Sequence, residues 1–324
     1  MANTNLSFLS LFILLPIFFI IFLKLILRPR SVKIPINSRH VFITGGSSGI
    51  GLALARQAAA EGAHVTILAR NLHNLEEAKT YIQRATGVDV DIVSADVCDF
   101  DAVKVAVESV DPIDVLVCNQ GVFAAEEIVD QEMKVVKDMI DVNLIGCFNL
   151  VKAVLPRMKN RSDRKPVSIA FISSQAGQVG VYGYTAYSAS KFGLRGLAEA
   201  LQQEVIADDI HVSLIFPPDT DTPGLVKEKK RRPPLTSIIA ASSGSMKVDE
   251  VAKKALNGIK SGSFFVSCNF EGFMLSIATV GLSPQRSCLV AFVEVISIGV
   301  LRIVGLCFQW IWYGRIEKWH AQKR

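Results

Sequence analysis

Paired cysteines are missing from this sequence. Its six cysteines (Cys98, Cys118, Cys147, Cys268, Cys288, Cys307) form no C-x-x-C and fall at no metal-ligand spacing. That pattern excludes a zinc ribbon and a thioredoxin-type redox centre, and no metal is expected. The thiols read as small apolar residues of a protein kept in a reducing compartment. Charge is missing in one place, between Asn5 and Leu23. As a helix, Leu6 to Leu23 would be about 27 Å long, close to the thickness of bilayer hydrocarbon. No basic residue precedes this run and no small-residue cleavage site follows it. It therefore reads as an uncleaved anchor rather than a secretory signal. Lys24, Arg28, Arg30, Lys33 and Arg39 come after it, and the positive-inside rule places the rest of the chain in the cytosol. The net charge of +5 is accounted for by such membrane-flanking clusters, and nothing in the pattern points to nucleic acid.

What is present is α/β alternation. Half of the 324 residues are hydrophobic, enough for one substantial domain with apolar mass left over. From His40 to Phe265 short β-branched runs alternate with helical stretches: His40–Thr44, then a helix over Gly49–Glu61, then Ala63–Leu68. Further runs at Val90–Val93, Val115–Val117, Val167–Ile172, Val212–Phe216 and Phe264–Val266 make seven strands, the pattern of a doubly wound parallel sheet. The expected organisation is an anchor over 1–28, a basic linker over 29–39 and a catalytic domain over 40–267. A hydrophobic membrane-associated tail over 268–314 and a basic cytosolic end over 315–324 complete it. Within the domain, 218–247 breaks the alternation with Pro-Pro, Thr-Asp-Thr-Pro-Gly, a basic run (Lys227, Lys229, Lys230, Arg231, Arg232) and serines, and reads as a substrate lid. Two readings of the basic run stand, a solvated loop and a contact with anionic lipid headgroups. In the tail, Phe270–Leu282 is short and Cys288–Tyr313 carries Glu294 and Arg302, so membrane crossings and an interfacial helix pair are both compatible with it.

Three constellations carry chemistry. Thr44-Gly45-Gly46-Ser47-Ser48-Gly49-Ile50-Gly51 lies where the first strand gives way to the first domain helix, the place where a dinucleotide pyrophosphate meets exposed backbone N–H groups. The second strand ends at Ala69-Arg70, where NAD-preferring enzymes carry an acid that holds the ribose hydroxyls. A guanidinium there suits a 2′-phosphate, with Ser47 or Ser48 adding a hydroxyl, and points to NADPH. Tyr187 and Lys191 share a helix face at i, i+4, so the ammonium is expected to lower the phenol toward the working range of an acid.

Together these residues resemble the short-chain dehydrogenase/reductase family over roughly His40 to Val266. The resemblance implies cofactor contacts from Gly45, Ser47, Ser48, Gly49, Ile50, Gly51 and Arg70, from Asp96-Val97 after the third strand and from Asn119 after the fourth. It implies that Ser174, thirteen positions before Tyr187, is the catalytic serine, with Ser173 in reserve. Ser174 and Tyr187 would donate to the carbonyl oxygen, Lys191 would also hold the nicotinamide ribose, and Asn143 would position a water that resupplies the proton. Three positions depart from the family pattern: Gln120 and Pro218 replace small residues, and Asn74 stands where some NADPH-using relatives carry a second basic residue. The leading anchor, Pro217 to Gly224 and the tail after Phe270-Glu271-Gly272-Phe273 bring the chain nearer to members that reduce a long-chain lipid ketone, the C3 ketone of a sphingoid base. That narrower resemblance implies the bilayer as a partner, the cytosolic face of the endoplasmic reticulum as the location, and leaves a homo-oligomer open. A membrane-bound retinal or steroid reductase would share every catalytic residue, and a non-catalytic NADPH-binding scaffold would share the fold.

Overall fold

The computed structural model describes residues 2–27, 32–163, 165–240 and 244–322, with the side chains of the first helix from Leu14 onward. Arg28 and Arg30 of the expected basic linker, and Lys323 and Arg324 at the end, lie outside the described residues. The strands are β1 (His40–Thr44), β2 (His64–Ala69), β3 (Asp91–Ser94), β4 (Val115–Cys118), β5 (Val167–Ile172), β6 (Ile210–Phe216), β7 (Asp219–Thr220), β8 (Ser245–Met246) and β9 (Phe265–Ser267). The helices are α1 (Ala2–Leu27), α2 (Gly49–Ala60), α3 (Leu72–Thr86), α4 (Phe100–Glu108), α5 (Met133–Ile140), α6 (Gly146–Lys159) and α7 (Thr185–Val205). They continue with α8 (Pro223–Lys229), α9 (Pro234–Ala240), α10 (Val248–Lys260), α11 (Phe270–Ala278) and α12 (Cys288–Ala321).

Seven strands form one sheet in the order β3-β2-β1-β4-β5-β6-β9, parallel throughout. Every residue of β1, β4, β5 and β6 is buried, as continuous apolar runs covered by helices on both faces require. Side chains alternate across the sheet: Val41 and Ile43 pack with α2, α3 and α10, while Phe42 packs on the other face with α4, α6 and α7. The chain runs outward from β1 to β3 and then returns to β4 on the other side of β1. This reversal opens a crevice at the carboxyl ends of β1 and β4, where doubly wound sheets hold ligands. The segments after β1, β4, β5 and β6 bring Gly45, Asn119, Ser174 and Pro217 to that edge.

Two elements differ from the expected organisation. Among the described residues of 218–247, β7 pairs with β8 near the two ends of the segment, and α8 and α9 lie between them. Thr222 starts α8 by accepting a hydrogen bond from the Leu225 N–H at 3.2 Å. At the start of the expected tail, α11 packs into the catalytic domain. Gln178 donates to Ser276 Oγ at 2.7 Å, Gln175 donates to Asn269 Oδ1 at 2.8 Å, and Ile277 is buried. Beyond it α12 is a single helix of 34 residues, capped by Ser287.

Candidate active site

The crevice holds two adjoining clefts of about 270 and 320 Å³ that share Gly45, Ser47, Ser48, Gln120, Gly121 and Val122. The glycine turn between them has no space for side chains. Gly45 sits at φ +61°, and a Cβ on Gly51 would lie 2.3 Å from the Gly45 carbonyl oxygen. Ser48 precedes α2 without a side-chain cap, so the first-turn N–H groups stay available to an anion. The first cleft is completed by Arg70, Asn71, Asn74, Asp96 and Val97. Arg70 is largely exposed and its guanidinium lies 3.8 Å from Asp96, leaving it free to turn toward a phosphate. A glycine cradle, open helix N–H groups and a mobile cation beside two amides and a serine fit a dinucleotide with an extra phosphate on its adenosine.

Of the residues assigned to the cofactor or to the chemistry, Gly51 and Asn143 line neither cleft, while Asn119 lines the second. Asn119 donates to the carbonyls of Thr44 and Gly45 at 3.1 and 3.2 Å, clamping the glycine turn from below. Gln120, the first departure, is also structural. Its amide reaches Cys147 Sγ at 3.2 Å, and its oxygen accepts from Thr44 Oγ1, tying β1 to α6. Pro218, the second departure, lines the second cleft.

The second cleft contains Ser174, Tyr187 and Lys191. Tyr187 and Lys191 project from the first turns of α7, whose Leu194, Ala198, Leu201 and Val205 are buried against the sheet. Ser174 and Ser173 follow β5 and diverge. Ser173 donates to the Lys191 carbonyl at 3.2 Å, whereas the Ser174 hydroxyl faces the phenol. Phe123 meets Tyr187 edge to face at 4.3 Å between ring centroids, and Tyr184 packs against both rings.

Burial among these rings lifts the Tyr187 phenol to about 12; the Ser174 hydroxyl opposes the rise, and the charges of Asp219 and Glu228 add to it. The expected lowering by Lys191 is reversed. The ammonium donates instead to the Ile172 carbonyl at 2.9 Å and lies 5.7 Å from the tyrosine ring centroid. Burial brings Lys191 itself down to about 8. Such a site holds a protonated phenol beside a buried lysine whose charge burial disfavours.

Asn143 sits in a π-helical turn, Asp141–Ile145, between α5 and α6. The extra residue of that turn rotates its side chain inward, where it is fully buried. Its oxygen accepts from the Val122 N–H at 2.8 Å, and its amide donates to the Val122 carbonyl at 2.9 Å and to Ser190 at 3.0 Å. Beside it a Cβ on Gly121 would lie 3.5 Å from Asn143 Oδ1 and 3.9 Å from Lys191 Nζ. Glycine at 121 leaves the space between the two open.

Sequence reasoning misplaced one residue and overlooked others. Arg232 does not belong to the solvated basic run, because its side chain is only 5% exposed. It pairs with Asp219 at 2.8 Å and Glu228 at 2.7 Å, under the ring of Tyr184. Lys227, Lys229, Lys230 and Arg231 remain exposed. Tyr184 was detectable in the sequence, three positions before Tyr187 on the same helical stretch, whereas Phe123 and Asp219 arrive from loops that only the fold brings together.

The family model for the short chain dehydrogenase matches residues 39–233. The 3-dehydrosphinganine reductase TSC10A of Arabidopsis thaliana is 64% identical over 299 residues, 92% of this chain and 92% of the relative. The 3-dehydrosphinganine reductase TSC10B of the same organism is 61% identical over 313 residues, 97% and 95% of the two chains. The 3-ketodihydrosphingosine reductase of Bos taurus is 37% identical over 291 residues, 87% and 86%. Among solved structures, a short-chain dehydrogenase from Sphingobium yanoikuyae in complex with NADPH superposes with a TM-score of 0.63 at 25% identity, covering 72% of this chain and 88% of that one. With the model spanning more than half of the chain and relatives matching along nearly all of it, the chain belongs to the short-chain dehydrogenase/reductase family.

Proposed function

We propose that this protein reduces the C3 ketone of 3-dehydrosphinganine to sphinganine with NADPH. The observation that carries the substrate is the 64% identity to a 3-dehydrosphinganine reductase across 92% of both chains. The geometry supports the reaction type. Bound NADPH supplies hydride to the carbonyl carbon. Tyr187, protonated across the neutral range, gives its proton to the oxygen that gains charge, and Ser174 donates a hydrogen bond to the same atom. Lys191 supplies positive charge nearby while it keeps its proton. The gap beside Gly121, flanked by the Asn143 oxygen and the Lys191 ammonium, is the place we assign to the water that resupplies the proton. Arg70 and Ser47 meet the 2′-phosphate.

The membrane is the second half of the reading. Leu14, Leu15, Phe18, Phe22 and Leu25 of α1 are exposed, as are Leu289, Ile296, Val300, Ile303 and Trp310 of α12. Apolar surface of this extent on two adjoining helices suits a bilayer. Phe19 of α1 meets Phe292 of α12 at 5.9 Å between centroids. Both ends of α12 return to the catalytic domain: Arg286, just before it, bonds His211 at 2.6 Å, and His320 bonds the Tyr182 hydroxyl at 3.2 Å. A helix about 51 Å long with both ends on one domain lies along that domain and so along the membrane surface, while α1 serves as the anchor. With Lys24 and Lys33 following α1, the catalytic domain faces the cytosol, at the endoplasmic reticulum.

The test is to offer the purified protein NADPH with 3-dehydrosphinganine, retinal and a ketosteroid and to compare kcat/KM. A preference for 3-dehydrosphinganine supports the reading. A higher value for retinal or the steroid replaces it, and turnover of none of them makes the protein a cofactor-binding scaffold.

A further inference from the structure

Lys191 and Asp219 are the charged side chains that line the second cleft. Lys191 is directed at the Ile172 carbonyl. Asp219 comes from the Pro-Pro-Asp-Thr-Asp-Thr-Pro-Gly segment, on β7 at the base of the lid, and its side chain is 28% exposed. Behind it stands a buried ion pair, Arg232 with Glu228. Arg232 spans Asp219 and Glu228, and the Tyr184 hydroxyl donates to Glu228 at 3.3 Å. Glu228 is 2% exposed at its side chain, and its second oxygen has no hydrogen-bond partner. Two carboxylates share one guanidinium, and Glu228 alone suffices to neutralise Arg232. The Asp219 charge is left over, and it faces the cleft that contains Tyr187 and Ser174.

A carboxylate that only shares a guanidinium, placed beside a hydride-accepting carbonyl, works against the reaction unless it meets a further cation, because negative charge develops on that oxygen. The substrate proposed above carries one. Its C2 ammonium is attached to the carbon next to the ketone, so seating the carbonyl at Tyr187 and Ser174 brings the ammonium into the same part of the cleft. Retinal and ketosteroids have no cation at that position. We propose that Asp219, held in place by the Arg232–Glu228 pair, is a specificity-determining residue that binds the ammonium of a 2-amino ketone.

This inference rests on the reading of the substrate, and the experiment separates the two. Wild-type protein and the variants Asp219→Asn and Asp219→Glu are assayed with NADPH on 3-dehydrosphinganine and on the same chain with hydrogen in place of the amine. NADPH affinity and the thermal midpoint report on folding. Wild type is expected to favour the amino ketone by about 10- to 100-fold in kcat/KM, the range of a charge-assisted hydrogen bond. Asp219→Asn removes most of that ratio, chiefly through KM for the amino ketone, and Asp219→Glu retains part of it. An unchanged ratio in Asp219→Asn overturns the inference and leaves the reading of the substrate standing. If that variant does not fold, equal wild-type kcat/KM for the two ketones overturns the inference. Wild type that reduces neither ketone overturns the reading of the substrate itself and this inference with it.

Discussion

A phenol lifted to about 12 by burial stays protonated across the neutral range, so the proton that ketone reduction consumes is always in place, while the phenolate that alcohol oxidation needs is scarce. Lys191, brought down to about 8, is charged below that value and neutral above it. If its cation assists proton delivery, kcat/KM for ketone reduction is level below about pH 8 and falls above it, with no second limb until the phenol titrates. A profile level through pH 10 would separate Lys191 from the chemistry. Tyr187→Phe removes the donor and is expected to lower kcat by about 10³-fold or more, with the NADPH dissociation constant within a few-fold. Arg70→Asp exchanges a phosphate partner for a ribose partner, and the NADPH/NADH preference is expected to fall by about 10- to 100-fold in kcat/KM. These residues were legible because their chemistry is local. A glycine turn after a strand, a residue at a strand end and an i, i+4 helix pair are all set by neighbours in the chain. The direction of the tyrosine shift was not legible, because it depends on burial against Phe123 and on the charges of Asp219 and Glu228, which arrive from other segments.

The lid shows what a charge pattern conceals. Five basic residues between 227 and 232 look alike in sequence, yet the turn after α8 brings one of them, Arg232, inward onto Glu228. Arg232→Ala strands the buried Glu228 carboxylate and is expected to destabilise the protein by about 3–5 kcal/mol, read from the shift of the denaturation midpoint. Neutralising Lys229, Lys230 and Arg231 together is expected to change stability by less than about 1 kcal/mol, since exposed charges contribute little. Similar losses in both variants would show that Arg232 is no more structural than its neighbours. The π-turn before α6 is a second case. The helical stretch over 133–159 is broken by the extra residue at Asp141–Ile145, which carries Asn143 to Val122.

At the scale of the whole molecule, the long apolar helices carry the proposed membrane reading. If α12 lies on the membrane surface, its far end stays on the side of the catalytic domain. A cysteine placed at Gln322 is then expected to react with a membrane-impermeant thiol reagent in sealed microsomes as fast as one on the exposed surface of α3, in a background with Cys98 and Cys307 replaced. Protection of Gln322→Cys would instead mean that α12 crosses the bilayer. Hydropathy and composition were enough to mark both apolar segments, and the alternation of buried runs was enough to name a doubly wound sheet, because solvent transfer and strand or helix period are properties of consecutive residues. The glycine turn, Arg70 and the Tyr187/Lys191 pair were determined in the same way. Tertiary structure alone decided that Ser173 is spent on the Lys191 carbonyl, which arginine is buried, that Asn119 and Gln120 bond the glycine turn, and that both ends of α12 return to the domain. Each of these depends on contacts between residues far apart in the chain, whose strength is governed by burial and the loss of water, and a linear pattern does not carry that information.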